Sequence, residues 1–169
     1  GEHPGVVQGH HVCKDGSRYP VEVNSSLLEQ NGEEYLVSVA RDISKRREQE
    51  RETERLFNTV NEIITVHDPD THELVDINRT AEELLGYSKD ELLEMGVEGY
   101  SAEEEGFTEE TVKEALSDFL ESPEDFEPIE WACWTRDGEK LWFEVNPAVM
   151  NWKGKKRILT ISREITQRR

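Results

Sequence analysis

Apolar and polar residues alternate in the last third of the chain, a pattern typical of β-strands with one buried face. The segments 129–134 and 141–146 each place apolar side chains at every second position. Asp137-Gly138 between them favours a hairpin turn. A second turn at 151–154 leads to a third apolar segment at 157–162. The pattern predicts an antiparallel meander of three strands with one inner face.

The same pattern occurs earlier in the chain. Residues 14–47 align without a gap on residues 136–169, and ten of the 34 aligned positions are identical, where chance gives about two. An offset of 122 residues is too long for a solenoid repeat and indicates tandem domains. We therefore expect the first copy to be represented only by its last three strands.

These three strands would lack the helical cover of a complete domain. Their predicted inner face, which includes Val21, Val23 and Leu36, would then be exposed. We expect the strands to be disordered, or to pair with another chain, or to be uncovered only because the sequence starts inside a domain.

A highly charged segment joins the two copies. Residues 44–57 contain no aliphatic or aromatic side chain before Leu56. The pairs Arg46–Glu50 and Glu52–Arg55 have the spacing that stabilises a solvent-exposed helix. We therefore predict a connecting helix over this segment.

Capping residues predict the elements between this helix and the meander. Asn78 can cap a helix that Gly86 ends, and Ser88-Lys-Asp-Glu91 is a capping box for the next helix. The predicted elements are strands at 63–68 and 73–78 and helices at 79–85, from 88 and at 108–121.

The order of these elements, the tandem repeat and a set of residues resemble the PAS family. The matching residues are Asp68 with the turn after it, Asn78, Leu84-Leu-Gly-Tyr-Ser88, Glu130-Trp131, Asp137-Gly138, Trp142-Phe-Glu-Val145 and Arg163-Glu-Ile-Thr166. Asp42-Ile-Ser44 is close to the Asp-Ile-Thr signature that closes such domains. Glu164 stands at the corresponding place in the second copy.

The resemblance implies an α+β fold: a PAS-like five-stranded antiparallel sheet whose short helices lie on one face and enclose a small pocket. A helical linker and the last three strands of another PAS domain precede it. The expected segments are a truncated first PAS domain at 1–43, a charged connecting helix at 44–57, a complete second PAS domain at 58–166 and the start of a next linker at 167–169.

The net charge and the composition of the chain exclude several classes of binding partner. The chain has 38 acidic and 20 basic residues and a formal charge of −18. Such a surface repels nucleic-acid phosphates and disfavours adsorption to anionic membranes, so we expect no nucleic-acid binding. The sequence has no run of 18 apolar residues, so we expect no membrane insertion. Salt screens the self-repulsion of so many carboxylates, so we expect a halophilic, haloarchaeal origin. Two isolated cysteines, Cys13 and Cys133, favour a reducing cytoplasm.

Cofactor signatures known from PAS proteins are largely missing. The Gly-Arg-Asn-Cys motif of photosensory flavin domains is absent, and Cys133 and Phe143 stand where those domains have flavin-binding asparagines. The 108–121 helix offers no histidine to a haem iron, which disfavours haem. We expect no cofactor and keep a non-covalent flavin stacked on Trp131 as an alternative.

A metal site at the start of the chain is also disfavoured. His10, His11 and Cys13 lie close in sequence. Adjacent residues of a strand point to opposite faces, however, and a structural zinc needs four ligands. We therefore predict a surface strand here.

Two sets of residues are candidates for function. A ligand pocket would be lined from the inner face of the sheet, although a packed core would fit the same residues. The pocket candidates are Val66, Ile77, Leu92, Leu116, Phe119, Trp131, Cys133, Phe143, Val145, Ile158, Thr160 and Ser162. The candidates for an interface or signal relay are Leu56, Phe57, Val60, Trp134, Trp142, Leu159, Ile161, Asp42 and Glu164.

The resemblance implies a sensory role, and the residues carry no competing catalytic motif. Nucleophile-elbow, P-loop, zincin and dinucleotide-binding motifs are absent. We expect a PAS sensory and relay module that is not itself an enzyme. It would bind a small ligand or partner and pass a conformational change through linker helices to an output domain, a histidine kinase or regulator. We expect a homodimer through the connecting helix and the outer sheet face. The alternatives are a ligand-free dimerisation module and a flavin-binding redox sensor.

Overall fold

The computed structural model describes residues 5–168 and divides the chain into two compact units, with the boundary between Glu54 and Arg55. The first unit is a three-stranded antiparallel sheet in the order β1-β2-β3. Its strands are β1 (Val7–Val12), β2 (Arg18–Gln30) and β3 (Glu33–Asp42).

The three strands of the first copy form a continuous ladder. Register pairs run from Val21↔Asp42 to Gln30↔Glu33 between β2 and β3. Val21 is buried, whereas Leu36 is 64% exposed. The apolar face that the sequence predicted is therefore largely open in this unit.

The second unit is a five-stranded antiparallel sheet in the order β5-β4-β8-β7-β6. This confirms the predicted α+β fold. Its elements are β4 (Ile63–His67), β5 (Leu74–Ile77), α2 (Arg79–Leu85), α3 (Lys89–Met95), α4 (Glu109–Glu121), β6 (Ile129–Trp134), β7 (Lys140–Trp152) and β8 (Lys155–Glu164). The helix α1 (Ser44–Thr59) contains the boundary between the units. The predicted linker at 167–169 is described only to Arg168, within a 3₁₀ turn at Thr166–Arg168.

The β7–β8 hairpin is longer than the sequence predicted. Its ladder continues to Trp152↔Lys155 and closes with Lys153 and Gly154 at positive φ angles of 50° and 83°. Pro147 did not stop the strand, because β6 pairs with β7 only as far as Val145. Beyond that point β7 has a partner on one side only, and a strand with a free side tolerates proline.

The helix caps form as predicted. Ser88 and Glu91 make the reciprocal hydrogen bonds of a capping box at the start of α3. Gly86 ends α2 with φ of 78°. A Cβ at Gly86 would lie 3.3 Å from the Cβ of Arg136, so both the backbone angle and the space favour glycine.

The sheet of the second unit has apolar clusters on both faces. On the inner face, a cluster that includes Leu85, Leu92, Trp131 and Phe143 packs between the sheet and the short helices. On the outer face, a cluster defined by Phe57, Ile64, Val66, Trp152 and Leu159 is buried. We call this second group the outer cluster. Because Phe57 belongs to α1, the outer cluster attaches the end of that helix to the sheet.

Asn78 connects three elements at one buried point. Its carboxamide oxygen accepts from the backbone N–H of Ile64 at 3.0 Å and of Ala81 at 3.3 Å. Its nitrogen donates to the carbonyl of Phe57 at 3.0 Å and of Glu62 at 2.9 Å. All four hydrogen-bonding positions of the side chain are therefore used. The cap of α2 also fixes the end of α1 and the start of β4.

We predict that Asn78→Asp lowers the free energy of unfolding by about 3 kcal/mol or more at pH 7. The substitution keeps the side-chain shape but removes both donors, so two buried carbonyls lose a partner and face a carboxylate. Urea denaturation followed by circular dichroism measures the change. Asn151→Asp is the matched control, because exposed Asn151 only accepts a hydrogen bond, from Gly154 N–H at 3.0 Å. A loss below about 1 kcal/mol for Asn78→Asp would contradict this role of the amide.

Candidate functional site

A cavity of about 70 Å³ lies between the inner face of the sheet and α4. Seven of the predicted pocket residues line it: Leu116, Trp131, Cys133, Phe143, Val145, Thr160 and Ser162. They come from α4, β6, β7 and β8. The alternation within the three meander strands was enough to find most of them, because one face of each strand is buried and the other is not.

The other five pocket candidates lie elsewhere. Ile77 and Leu92 pack in the inner-face cluster, and Phe119 and Ile158 pack with Leu116 in a separate buried group. Val66 lies on the opposite face, in the outer cluster. All five residues of β4 are buried, so its sequence shows no alternation from which to choose the inner face.

Eight lining residues were not among the candidates: Ile63, Thr65, His67, Val97, Tyr100, Val112, Ala115 and Ile129. Three of them form the inner face of β4. Val97 and Tyr100 lie just before an exposed run of glutamates at 103–105. The backbone at this point pairs with the edge of β6, through Trp134 N–H to Tyr100 O at 2.7 Å and Ala102 N–H to Ala132 O at 2.9 Å. Local sequence gave no signal for this pairing.

A chain of polar side chains crosses the inner face. Thr160 hydrogen-bonds Thr65, whose hydroxyl lies 2.8 Å from Nε2 of His67. Nδ1 of His67 lies 3.2 Å from the carbonyl of His72, so it carries the proton and donates. Nε2 then accepts from Thr65, and the oxygen of Thr65 accepts from Thr160. Burial of His67 disfavours its charged form and lowers its pKa to about 4.

Ser162 adds a hydroxyl to this polar strip. It follows Thr160 by two residues on the same face of β8 and is 8% exposed. Within residues 5–168 its hydroxyl has no hydrogen-bond partner, although it lines the cavity. Every fully buried side-chain nitrogen or oxygen among the described residues has a hydrogen-bond partner, so the Ser162 oxygen is one that the cavity leaves accessible. Such a hydroxyl can bind a ligand or a water molecule.

The aromatic rings and the thiol of the cavity are held in unreactive forms. The indole N–H of Trp131 donates to Ser101 Oγ at 2.8 Å, and its ring packs on Phe107 with centroids 4.4 Å apart. Burial raises the pKa of the Cys133 thiol to about 12, so it stays protonated. Burial also raises the pKa of the Tyr100 phenol. The arrangement favours binding over nucleophilic or acid–base chemistry.

A flavin ring does not fit this cavity. About 70 Å³ is roughly half the volume of a cavity of about 150 Å³ that binds one benzene ring. The three fused rings of a flavin are much larger than benzene, and Phe143 and Cys133 offer its heteroatoms no carboxamide. Among residues 5–168, no group of three or more histidine, cysteine and carboxylate side chains is placed to hold a metal ion. His10, His11 and Cys13 are exposed at or just beyond β1, and His3 lies outside the described residues.

A second groove, of about 330 Å³, adjoins the cavity and shares Val97 and Val112 with it. Four carboxylates line this groove: Glu73, Glu94, Glu98 and Glu109. Its one lysine, Lys113, is ion-paired with Glu109. The approach to the cavity on this side is therefore acidic.

The relay candidates fall into three groups. Phe57 and Leu159 are buried in the outer cluster, while Leu56, Val60 and Ile161 are exposed. Trp134 and Trp142 are half-buried, with Lys140 Nζ 4.9 Å from the Trp134 ring and Phe107 6.0 Å from the Trp142 ring. Asp42 accepts a hydrogen bond from Ser44 N–H at 2.8 Å at the start of α1, and Glu164 is exposed at the end of β8.

Trp152 is a member of the outer cluster that the sequence did not indicate, because it lies in a segment predicted as a turn. Its ring packs on Phe57 with centroids 4.5 Å apart, and its indole N–H donates to Asp76 at 3.2 Å. Asp76 is also ion-paired with Lys89 of α3 and with Lys153, the latter at 3.1 Å. Burial opposes ionisation of Asp76, but the two lysines hold its pKa below the ordinary range.

The chain resembles sensor proteins. It is 28% identical over 123 residues to the methyl sulfide methyltransferase-associated sensor of Methanosarcina acetivorans, a match that covers 73% of this chain and 12% of that protein. The chain thus spans about an eighth of its relative's length. Among residues 5–168, no helix combines the length and apolar character needed to cross a bilayer.

Solved structures show the same architecture. The PAS domain of an HTR-like protein from Haloarcula marismortui superimposes with a TM-score of 0.58 and 31% identity, over 72% of this chain and 99% of that domain. A PAS domain from Colwellia psychrerythraea gives a TM-score of 0.52 and 24% identity over 75% of this chain and 99% of the other. The PAS domain family profile matches residues 3–45 and 61–167. Together with the fold, these matches show that the chain belongs to the PAS domain family.

Proposed function

We propose that the second unit senses a small ligand in its cavity and relays the binding event to α1 and to the chain that follows β8. One observation carries this proposal. β4 and β8 line the cavity with one face and build the outer cluster with the other. A ligand that displaces either strand therefore changes the packing of Phe57 at the end of α1.

The path through β4 is short. Thr65 lines the cavity, and its neighbours Ile64 and Val66 pack in the outer cluster with Phe57. Asn78 adds a direct link, because its amide bonds both Ile64 and the carbonyl of Phe57. Close-packed cores transmit small displacements, so these contacts support mechanical coupling.

A second path runs through Asp76. This carboxylate binds Lys89 of α3, Lys153 of the β7–β8 turn and the indole of Trp152. The short helices beside the cavity are thereby tied to the same aromatic pair, Phe57 and Trp152, that ends α1. Removal of the carboxylate would free both lysines and leave the buried indole N–H unpaired.

The chain that leaves β8 is also tied to the sheet. Ile165 N–H donates to the carbonyl of Trp142 at 2.8 Å, and Trp142 N–H donates to Thr166 Oγ1 at 3.0 Å. We propose that an output domain beyond this exit, a histidine kinase or a regulator, receives the signal. The similarity to a much longer protein named as a sensor supports this assignment.

A ligand-free dimerisation module is the second candidate. The observation that favours it is a set of exposed apolar side chains in the second unit: Leu56, Val60, Met150 and Ile161. A homodimer through α1 and the outer sheet face would cover them. In that case filling the cavity would leave the packing of α1 unchanged.

We predict that Ala115→Leu, which fills the cavity from α4, speeds amide hydrogen exchange in the last turn of α1 by about threefold or more. The added side chain displaces β4 or β8 and loosens the contact of Phe57. Hydrogen exchange read by NMR on the full chain measures the effect. Ser117→Leu places the same side chain on α4 outside the cavity and should leave α1 unchanged. Equal exchange in the wild type and Ala115→Leu would favour the ligand-free candidate.

We predict that the free energy of unfolding decreases at acidic pH because of His67. The pKa of His67 is about 4 in the folded chain, against about 6.5 unfolded, so the unfolded state binds more protons between these values. The stabilisation is complete above pH 6.5 and is lost as the pH falls towards 4, by about 3 kcal/mol. Urea denaturation at pH 7 and pH 4.5 compares the wild type with His67→Gln. Carboxylate titration is common to both proteins, so equal losses of stability would contradict a buried neutral imidazole.

A further inference from the structure

We propose that the cavity takes a small, uncharged ligand with a hydrogen-bond donor, and that the hydroxyls of Thr160 and Ser162 hold that donor. This inference rests on the proposed ligand-sensing function and adds the chemical class of the ligand.

The lining of the cavity excludes charge. No Asp, Glu, Lys or Arg is among the described residues that line it. His67 is neutral at pH 7, and both of its ring nitrogens are used within the protein, by Thr65 and by His72. A charged ligand would lose its water without gaining a counter-charge, which is strongly unfavourable.

The negative charge of the groove next to the cavity also disfavours anionic ligands. The adjoining groove carries four glutamates, and its lysine is already paired. The whole chain has a formal charge of −18. Anions such as carboxylates and phosphates are therefore repelled before they reach the cavity. A cation is attracted to the groove but meets no carboxylate inside the cavity.

Hydrogen-bond direction specifies a donor on the ligand. The proton on His67 Nδ1 leaves Nε2 as the acceptor for Thr65, so Thr65 in turn accepts from Thr160. The proton of Thr160 is thus committed, and its oxygen can only accept a further hydrogen bond. Ser162 is unpartnered within the described chain and lies two residues along the same face of β8. A ligand hydroxyl or N–H satisfies both.

The size and polarity of the cavity further limit which ligands it can hold. The cavity volume of about 70 Å³ is roughly half that of a cavity of about 150 Å³ that binds benzene, so it suits a ligand of about three or four non-hydrogen atoms. Away from the hydroxyls its walls are apolar, with Leu116, Trp131, Phe143 and Val145 among them. A short alcohol or a small neutral amide fits this combination, whereas a dicarboxylate or a nucleotide does not.

The test uses three probes of equal size: 1-propanol, acetate and propylammonium. Each is titrated into the ¹⁵N-labelled chain at pH 7 in molar potassium chloride, and amide shifts of the cavity residues give the dissociation constants. We expect 1-propanol to bind at least tenfold more tightly than either ion. Ser162→Ala should weaken 1-propanol binding five- to tenfold by removal of one hydrogen bond, and Ser117→Ala, outside the cavity, should not.

The outcomes separate the ligand class from the site. Acetate or propylammonium binding as tightly as 1-propanol would overturn the uncharged class while leaving the cavity as the ligand site. Unchanged 1-propanol affinity in Ser162→Ala would overturn the role of the hydroxyl. Binding of 1-propanol that persists in Ala115→Leu, or no binding of any probe, would overturn the cavity as the site and with it the proposed function.

Discussion

The second unit depends on one buried carboxamide. Asn78 uses all four of its hydrogen-bonding positions on the backbone of three elements: the end of α1, the start of β4 and the first turn of α2. An aspartate would lack the donors and a leucine would lack both kinds of group. The position of β4 relative to α1 is therefore set by hydrogen-bond geometry as well as by apolar burial. The cavity lies on one side of β4 and the outer cluster on the other. The position of β4 therefore determines both.

β4 links the inner-face cavity to the outer cluster, because both of its faces are buried. Its inner side carries Thr65 and His67, which form a neutral polar chain with Thr160, and its outer side packs Ile64 and Val66 against Phe57. The polar chain uses the protons of Thr65 and Thr160, so the oxygen of Thr160 and the hydroxyl of Ser162 remain as sites for a ligand donor. Asp76 works in parallel on the outer side, where two lysines and the indole of Trp152 surround a carboxylate that is 6% exposed. Under the proposed function, ligand binding and relay therefore use opposite faces of the same strands.

Local signals in the sequence were sufficient for the class of fold, the helix caps and most of the meander side of the cavity. Asn78 and Ser88 are read directly from capping rules, and the alternation around Trp131 and Phe143 selects the inner face. The remainder depends on tertiary contacts. β4 is apolar throughout, so the inner role of Thr65 and His67 follows only from its pairing with Thr160. Tyr100 and Ala102 pair with the edge of β6, and Trp152 packs against Phe57 and hydrogen-bonds Asp76, both of which are distant in sequence. The exposed face of the first sheet was predicted from the sequence, because the repeat contains the last three strands of the first copy without the helices that would cover them.

The central claim is that the cavity and the end of α1 are energetically coupled through the sheet. A double-mutant cycle tests it most directly, with Ala115→Leu on the cavity side and Phe57→Leu in the outer cluster, and with unfolding free energies measured for all four proteins. The two side chains contact opposite faces of the sheet, and independent sites separated in this way add within about 0.5 kcal/mol. The account predicts an interaction energy of about 1 kcal/mol or more. Additivity within the error of measurement would contradict it.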